Sequence, residues 1–155
     1  LWKELPVCDR VIYAFTLSPE EITACYEHGT PTLAARVASV KLAGKMGHPV
    51  RLCFDPMIYY PHYKEVYRRM LGEVFAQIDT DHIVDVSMGS FRISKDYLKN
   101  MRRHDVLSPV VQFPYENIDG VYQYPDKLRQ EMEGFLHKEL CKYVEEEHIF
   151  CWDQI

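Results

Sequence analysis

The chain has no CxxC, no HxH or HxxxH pair and no glycine-rich phosphate loop. Five cysteines, Cys8, Cys25, Cys53, Cys141 and Cys151, are an odd number at wide spacings. That pattern suggests neither a disulfide framework nor a local zinc site, so we read them as reduced thiols. Scattered histidines argue against a histidine metal site. No apolar run approaches the ~20 residues that a membrane span needs. No signal peptide or lipidation motif is recognised, so a cytoplasmic protein without membrane contact is expected. An excess of positive charge is also missing: 18 basic against 23 acidic residues give a net charge of -5. A chain that grips nucleic acid through its overall charge is disfavoured, and a local basic groove stays open. There is no linker, low-complexity segment or sequence repeat, and we expect one α/β domain over 1–155.

What is present is ordinary globular composition, 47% hydrophobic and 26% charged over 155 residues, enough chain for one core. The central stretch is Val50 to Leu71. Val50, Leu52 and Phe54 alternate with Arg51, Cys53 and Asp55, which predicts a strand with one apolar and one polar face. After Pro61 the period changes, and Tyr63, Val66, Tyr67, Met70, Leu71, Val74 and Phe75 mark one stripe of a helix. A strand feeding an amphipathic helix is the unit of a parallel sheet.

The same unit appears upstream. Residues 10–18 alternate as a strand, with Val11, Tyr13, Phe15 and Leu17 on one face and Ile12, Ala14, Thr16 and Ser18 on the other. Ser18-Pro19-Glu20-Glu21 predicts a capping box opening a short helix that stops at Gly29. Thr30-Pro31 repeats the cap-then-proline signal for a helix carrying Leu33, Val37, Val40 and Gly44 and stopping at Gly47. Downstream, residues 82–91 alternate as a third strand and Ser94 caps a helix through Arg103. SPVVQFPY, 108–115, reads as a fourth strand and Glu116 to Gly120 as a turn. A long helix opens after Tyr124-Pro125, with Leu128, Met132, Phe135, Leu136, Leu140 and Tyr143 as its stripe, and residues 148–152 form an edge strand.

In each strand one face is bulky and the other small or polar towards its C-terminal end. Helices cover the first face of a parallel sheet, and ligands bind at the carboxyl ends of its strands. Thr16, Ser18, Asp55, Ser87, Ser90, Arg92 and Gln112 therefore gather at one rim on this reading, although each taken singly also suits a cap or turn. The Arg51/Asp55 pair suits a ligand carboxylate or hydroxyl and equally an inward ion pair. The tyrosines, among them Tyr59, Tyr60, Tyr115, Tyr122 and Tyr124, suit either a stacking platform or the core.

Phe15 to Leu71 carries Thr16-Leu17-Ser18, Gly29-Thr30-Pro31, Arg36, Gly47-His48, Asp55-Pro56-Met57 and His62-Tyr63-Lys64-Glu65-x-Tyr67; Ser90-Phe91-Arg92 follows. These runs resemble the C-terminal half of the spore photoproduct lyase-like family of radical S-adenosylmethionine enzymes. The resemblance implies an α/β fold: the C-terminal half of a partial (β/α) barrel, about four to five mostly parallel strands with helices on one face. It implies S-adenosylmethionine and a four-iron four-sulfur cluster in a longer parent, with DNA photoproduct repair as the family activity. On the resemblance we assign Thr16, Ser18, Arg51, Asp55 and Ser87 to the cofactor and Ser90, Arg92, Gln112 and Tyr115 to the substrate. No residue is assigned to catalysis or to a metal.

The departures shape further expectations. The CxxxCxxC cluster motif is absent, so this chain alone, which opens at Leu1 without methionine, is expected to be an inert piece whose partner is a missing N-terminal half. It is expected to bind no cofactor by itself and to be able to self-associate through uncovered strand edges. The strand matched to the family's hydrogen-donating cysteine holds no cysteine. Glu116 and Asn117 fall near the family's substrate-facing Arg-Tyr pair, which weighs against thymine-dimer DNA as the substrate. The alternatives are a non-catalytic nucleic-acid-binding module and a stand-alone interaction domain.

Overall fold

A computed structural model describes residues 4–151. Strand β1 (Tyr13–Thr16) leads through helices α1 (Glu20–Tyr26) and α2 (Leu33–Lys45) to β2 (Val50–Met57). Helix α3 (Tyr63–Phe75) and a short 3-10 turn then lead to β3 (Ile83–Ser90). These strands pair in parallel, and the closing strand β7 (Ile149–Cys151) adds to β3, giving a four-stranded parallel sheet in the order β1-β2-β3-β7. The fold is the expected α/β arrangement of a partial barrel. Trp152, expected in the last strand, lies outside the described residues.

Register divides the sheet as the alternation predicts. Tyr13, Phe15, Val50, Leu52, Phe54, Val86 and Met88 share one face, against which α2, α3 and α6 (Asp126–Leu140) pack. Val50, Leu52, Phe54, Val86 and Met88 are buried there. On α3 the stripe from Tyr63 to Val74 is buried as expected, and on α6 Met132, Leu136 and Leu140 are. Tyr143 falls beyond the end of α6 and stacks on Phe75 at 4.4 Å.

Several expectations are corrected. β1 starts at Tyr13 because its one partner, β2, begins at Val50; Val11 and Ile12 have no strand to pair with and stay exposed. The capping box does not form. Ser18 makes no cap bond, Glu20 instead accepts from the Leu33 backbone N–H at 3.0 Å, and Glu21 pairs with Arg69. The cap of α2 is Thr32, accepting from Ala35 N at 3.2 Å, rather than Thr30. Residues 108–115 are not a strand. Ser108-Pro109 opens one helical turn, α5 (Pro109–Gln112), which buries both Val110 and Val111, where a strand would have split them between two faces.

Residues 116–120 are more than a turn. β4 (Arg92–Ser94) leads into α4 (Lys95–His104), and β5 (Glu116–Ile118) and β6 (Val121–Gln123) form a hairpin. Together they make a three-stranded antiparallel sheet, order β4-β6-β5, hanging from the C-terminal end of β3. Asp119 and Gly120 both take positive φ, 51° and 87°, as a two-residue hairpin connection of the primed type requires. Among the described residues no helix is long and apolar enough to cross a membrane.

Candidate functional site

The sheet face opposite the helices is open. Ala14 pairs with Arg51 and Thr16 with Cys53; Arg51 pairs with Asp85, Cys53 with Ser87 and Ser87 with Phe150, so these side chains share one surface. Thr16 and Phe150 are exposed, and Arg51, Cys53, Asp55 and Ser87 are half-buried. A parallel sheet is ordinarily covered on both faces. Here one face is polar and uncovered among the described residues.

Two ion pairs organise that face. Arg51 clasps Asp85 with Nε and Nη2, the latter at 2.6 Å from Oδ2. The bonds to Asp85 hold the Arg51 guanidinium above its ordinary pKa. Arg92 reaches back to Asp55 with two bonds of 3.2 and 3.1 Å, and to the Ser90 carbonyl at 3.2 Å. The sequence pairing of Arg51 with Asp55 is thus replaced by Arg51–Asp85 and Arg92–Asp55. Register explains it: Asp85 lies directly across from Arg51, whereas Asp55 lies four residues along the same strand.

Above the C-terminal ends of β1 and β2 lies a cavity of about 540 Å³, lined mainly by apolar side chains, among them Phe15, Tyr26, Ile58, Phe91 and Met101. Its polar end is Thr16, Glu27, Thr30 and Arg36. Arg36 holds that end together. Its Nε donates to the Pro31 carbonyl at 2.9 Å and Nη1 to the Thr16 carbonyl at 3.2 Å, while Nη2 donates to Glu27 Oε2 at 2.5 Å and Thr30 Oγ1 at 2.9 Å. The loop between α1 and α2 is thereby tied to the end of β1. Tyr26 is held protonated, its pKa raised chiefly by burial.

The loop after β2 is fixed from the other side. Successive backbone amides of Ile58 and Tyr59 donate to the Tyr67 and Tyr124 hydroxyls, each at 2.8 Å. His62 takes a left-handed φ of 57° at the start of α3. Burial pushes the Tyr67 hydroxyl far above its ordinary range, so it stays protonated. Replacing Tyr67 with phenylalanine orphans the buried Ile58 amide and is expected to cost about 1–3 kcal/mol in urea unfolding. Tyr63→Phe, which removes a hydroxyl facing exposed Glu131, is expected to cost under about 1 kcal/mol. Equal costs would show that Tyr67 does not hold the loop.

Of the residues assigned from the sequence, Thr16, Arg51, Asp55 and Ser87 come together on the open face. Thr16 also lines the cavity. Ser18 is buried behind the end of β1. Ser90 is turned to α6, where its N–H and hydroxyl both donate to Glu133 Oε1, at 3.0 and 2.7 Å. Gln112 lies exposed on α5, not at a strand end, and bonds the Val106 carbonyl at 3.1 Å. Tyr115 is buried; its hydroxyl donates to the Val110 carbonyl at 2.6 Å and its ring packs on Phe91 and Tyr124. Sequence reasoning did not assign the residues of the cavity's polar end other than Thr16. Arg36 was marked only by its place after Gly29-Thr30-Pro31, and Met101 carried no signal at all.

No protein-family model and no curated protein sequence matches the chain. Solved structures do. Spore photoproduct lyase complexed with dinucleoside spore photoproduct superposes with a TM-score of 0.75, covering 92% of this chain and 44% of that one at 14% identity. The fold is shared. A mutant of spore photoproduct lyase with bound AdoMet and dinucleoside spore photoproduct gives 0.76 over 90% and 43%, again at 14% identity. The chain thus spans less than half the length of the structures it matches. At this identity the likeness establishes a radical S-adenosylmethionine-like fold, and function has to be argued from the site.

Proposed function

We propose that this chain is the C-terminal portion of a radical S-adenosylmethionine lyase-like enzyme, inert by itself, whose remaining half completes a site that small molecules reach at the open polar face. The observation that carries this reading is that face, with its adjoining cavity, on a fold shared with a solved structure holding AdoMet. The cofactor parts divide on fit. A four-iron four-sulfur cluster does not fit here: it needs thiolates together, and among the described residues the one metal-capable trio is the exposed Glu145, Glu147 and His148, without a cysteine. S-adenosylmethionine, a charged and hydroxyl-rich ligand, suits the donors of the open face. Thr16 and Ser87 supply hydroxyls, and Arg51 and Asp55, each held in its ion pair with Asp85 and Arg92, border them with balanced charge, while Ser18 backs the end of β1. When bound, S-adenosylmethionine would supply hydrogen-abstracting carbon-radical chemistry, given one electron from a cluster held by the rest of the enzyme. This chain's residues bind, orient and exclude water. Ser90, Arg92 and Tyr115 act on the substrate side by fixing the strand end and the aromatic wall beside it, and Gln112 lies at the outer margin.

Cys53 is the reporter for this reading, since it lies between Thr16 and Ser87 in register. In the protein of the full reading frame, S-adenosylmethionine at about ten times its Kd is expected to slow alkylation of Cys53 about tenfold. The exposed Cys25 and Cys141 serve as controls with unchanged rates. A Cys53 rate indifferent to S-adenosylmethionine would reject the open face as its site.

A further inference from the structure

We infer that the cavity at the end of β1 takes an uncharged ring-bearing group, an aromatic or heteroaromatic with a hydrogen-bonding edge, and discriminates against both anions and cations. The volume, about 540 Å³, falls within the ~300–1,000 Å³ of small-molecule sites. Its lining includes Phe15, Tyr26, Phe91, Ile22, Ile58 and Met101, which suits a flat apolar body. The charge at its polar end is balanced. Arg36, 11% exposed, is paired to Glu27, 26% exposed, at 2.5 Å. Three of the four acceptors of Arg36 are backbone carbonyls or the Thr30 hydroxyl, so its donors are largely spent on the protein. An incoming anion would meet Glu27 before it gained Arg36, and an incoming cation would have to compete with a charge-assisted bond already made. A neutral group pays neither cost and still finds the hydroxyl of Thr16, whereas that of Thr30 already donates to the Glu27 carbonyl at 2.8 Å and accepts from Arg36.

Ala14 and Thr16 belong both to this cavity and to the open face. A ring held in the cavity therefore ends beside the surface given above to S-adenosylmethionine, and its role as the substrate's anchoring group rests on that proposal. The binding preference itself does not.

One scaffold with three charges tests it. Binding of indole-3-acetamide, indole-3-acetate and tryptamine to the 155-residue chain is measured by ligand-observed NMR titration. The acetamide is expected to bind, with the acetate and tryptamine at least about tenfold weaker. Glu27→Gln keeps an acceptor for Arg36 and removes the compensating charge, so it is expected to move the preference at least about tenfold towards the acetate. Met101→Trp fills the cavity from α4, where Met101 is partly exposed; it is expected to abolish acetamide binding with an unchanged melting temperature. Equal affinities for the three ligands, no binding by any of them, or acetamide binding that survives Met101→Trp would each overturn the inference. Cys53 protection by S-adenosylmethionine is scored separately: acetamide binding without that protection would leave the cavity standing and remove the cofactor assignment.

Discussion

Replacing Arg36 with alanine is expected to destabilise the protein by about 3 kcal/mol and to release the loop between α1 and α2 from the end of β1. One guanidinium serves four acceptors there: Pro31 O, Thr16 O, Glu27 Oε2 and Thr30 Oγ1. Removing it strands the Glu27 carboxylate and leaves two carbonyls at the cavity wall to find water. Lysine has a compact ammonium and cannot span the same fork, so Arg36→Lys is expected to recover less than half of the loss. Urea unfolding gives the stability, and amide hydrogen exchange over residues 27–32 reports the loop. A cost under about 0.5 kcal/mol with unchanged exchange would show that the network does not hold the cavity together.

Arg51→Ala is expected to cost about 3–5 kcal/mol, and Asp85→Asn distinctly less. The asymmetry follows from exposure. Asp85 has a side chain only 8% exposed, whereas Arg51 is 39% exposed. Losing the arginine leaves a buried carboxylate in mid-sheet, but losing the carboxylate leaves a guanidinium that water can reach. Replacing both with apolar residues of similar size, Arg51→Met with Asp85→Leu, is expected to recover most of the loss, because neither charge then remains to be desolvated. Chemical denaturation of the two single variants and the pair checks this. Single-variant costs that are equal and both under about 0.5 kcal/mol would mean that the pair is solvated throughout.

The strand-helix units were legible because each has one partner at fixed period: Val50, Leu52 and Phe54 on β2 and the Tyr63 to Val74 stripe on α3 occupy the faces that alternation assigns. What was not legible depends on tertiary partners. The length of β1 is set by where β2 begins, which no local pattern encodes. Glu21 left the capping box for Arg69, and Glu20 reaches Leu33 N, both contacts across the chain. Val110 and Val111 favoured a strand by propensity, and the preceding Ser108-Pro109, an equally valid helix start, prevailed because both valines could then be buried. The hairpin was within reach: Asp119-Gly120 between Asn117-Ile118 and Val121-Tyr122 is a primed-turn signal.

The site followed the same division. Polar residues on alternating strand positions placed Thr16, Arg51, Asp55 and Ser87 on one face correctly, because the period of a strand is local. Which arginine meets which aspartate depended on register between strands. The cavity depended on side chains from α1, α2 and α4 whose convergence only the fold shows.

The protein of the full reading frame, reconstituted anaerobically with iron and sulfide and reduced with dithionite, is the most direct test of the proposed enzyme. The expected result is about four irons per chain and release of 5′-deoxyadenosine from S-adenosylmethionine, with neither seen for the 155-residue chain alone. Background iron and intact S-adenosylmethionine in the full-length protein would contradict the radical-enzyme reading.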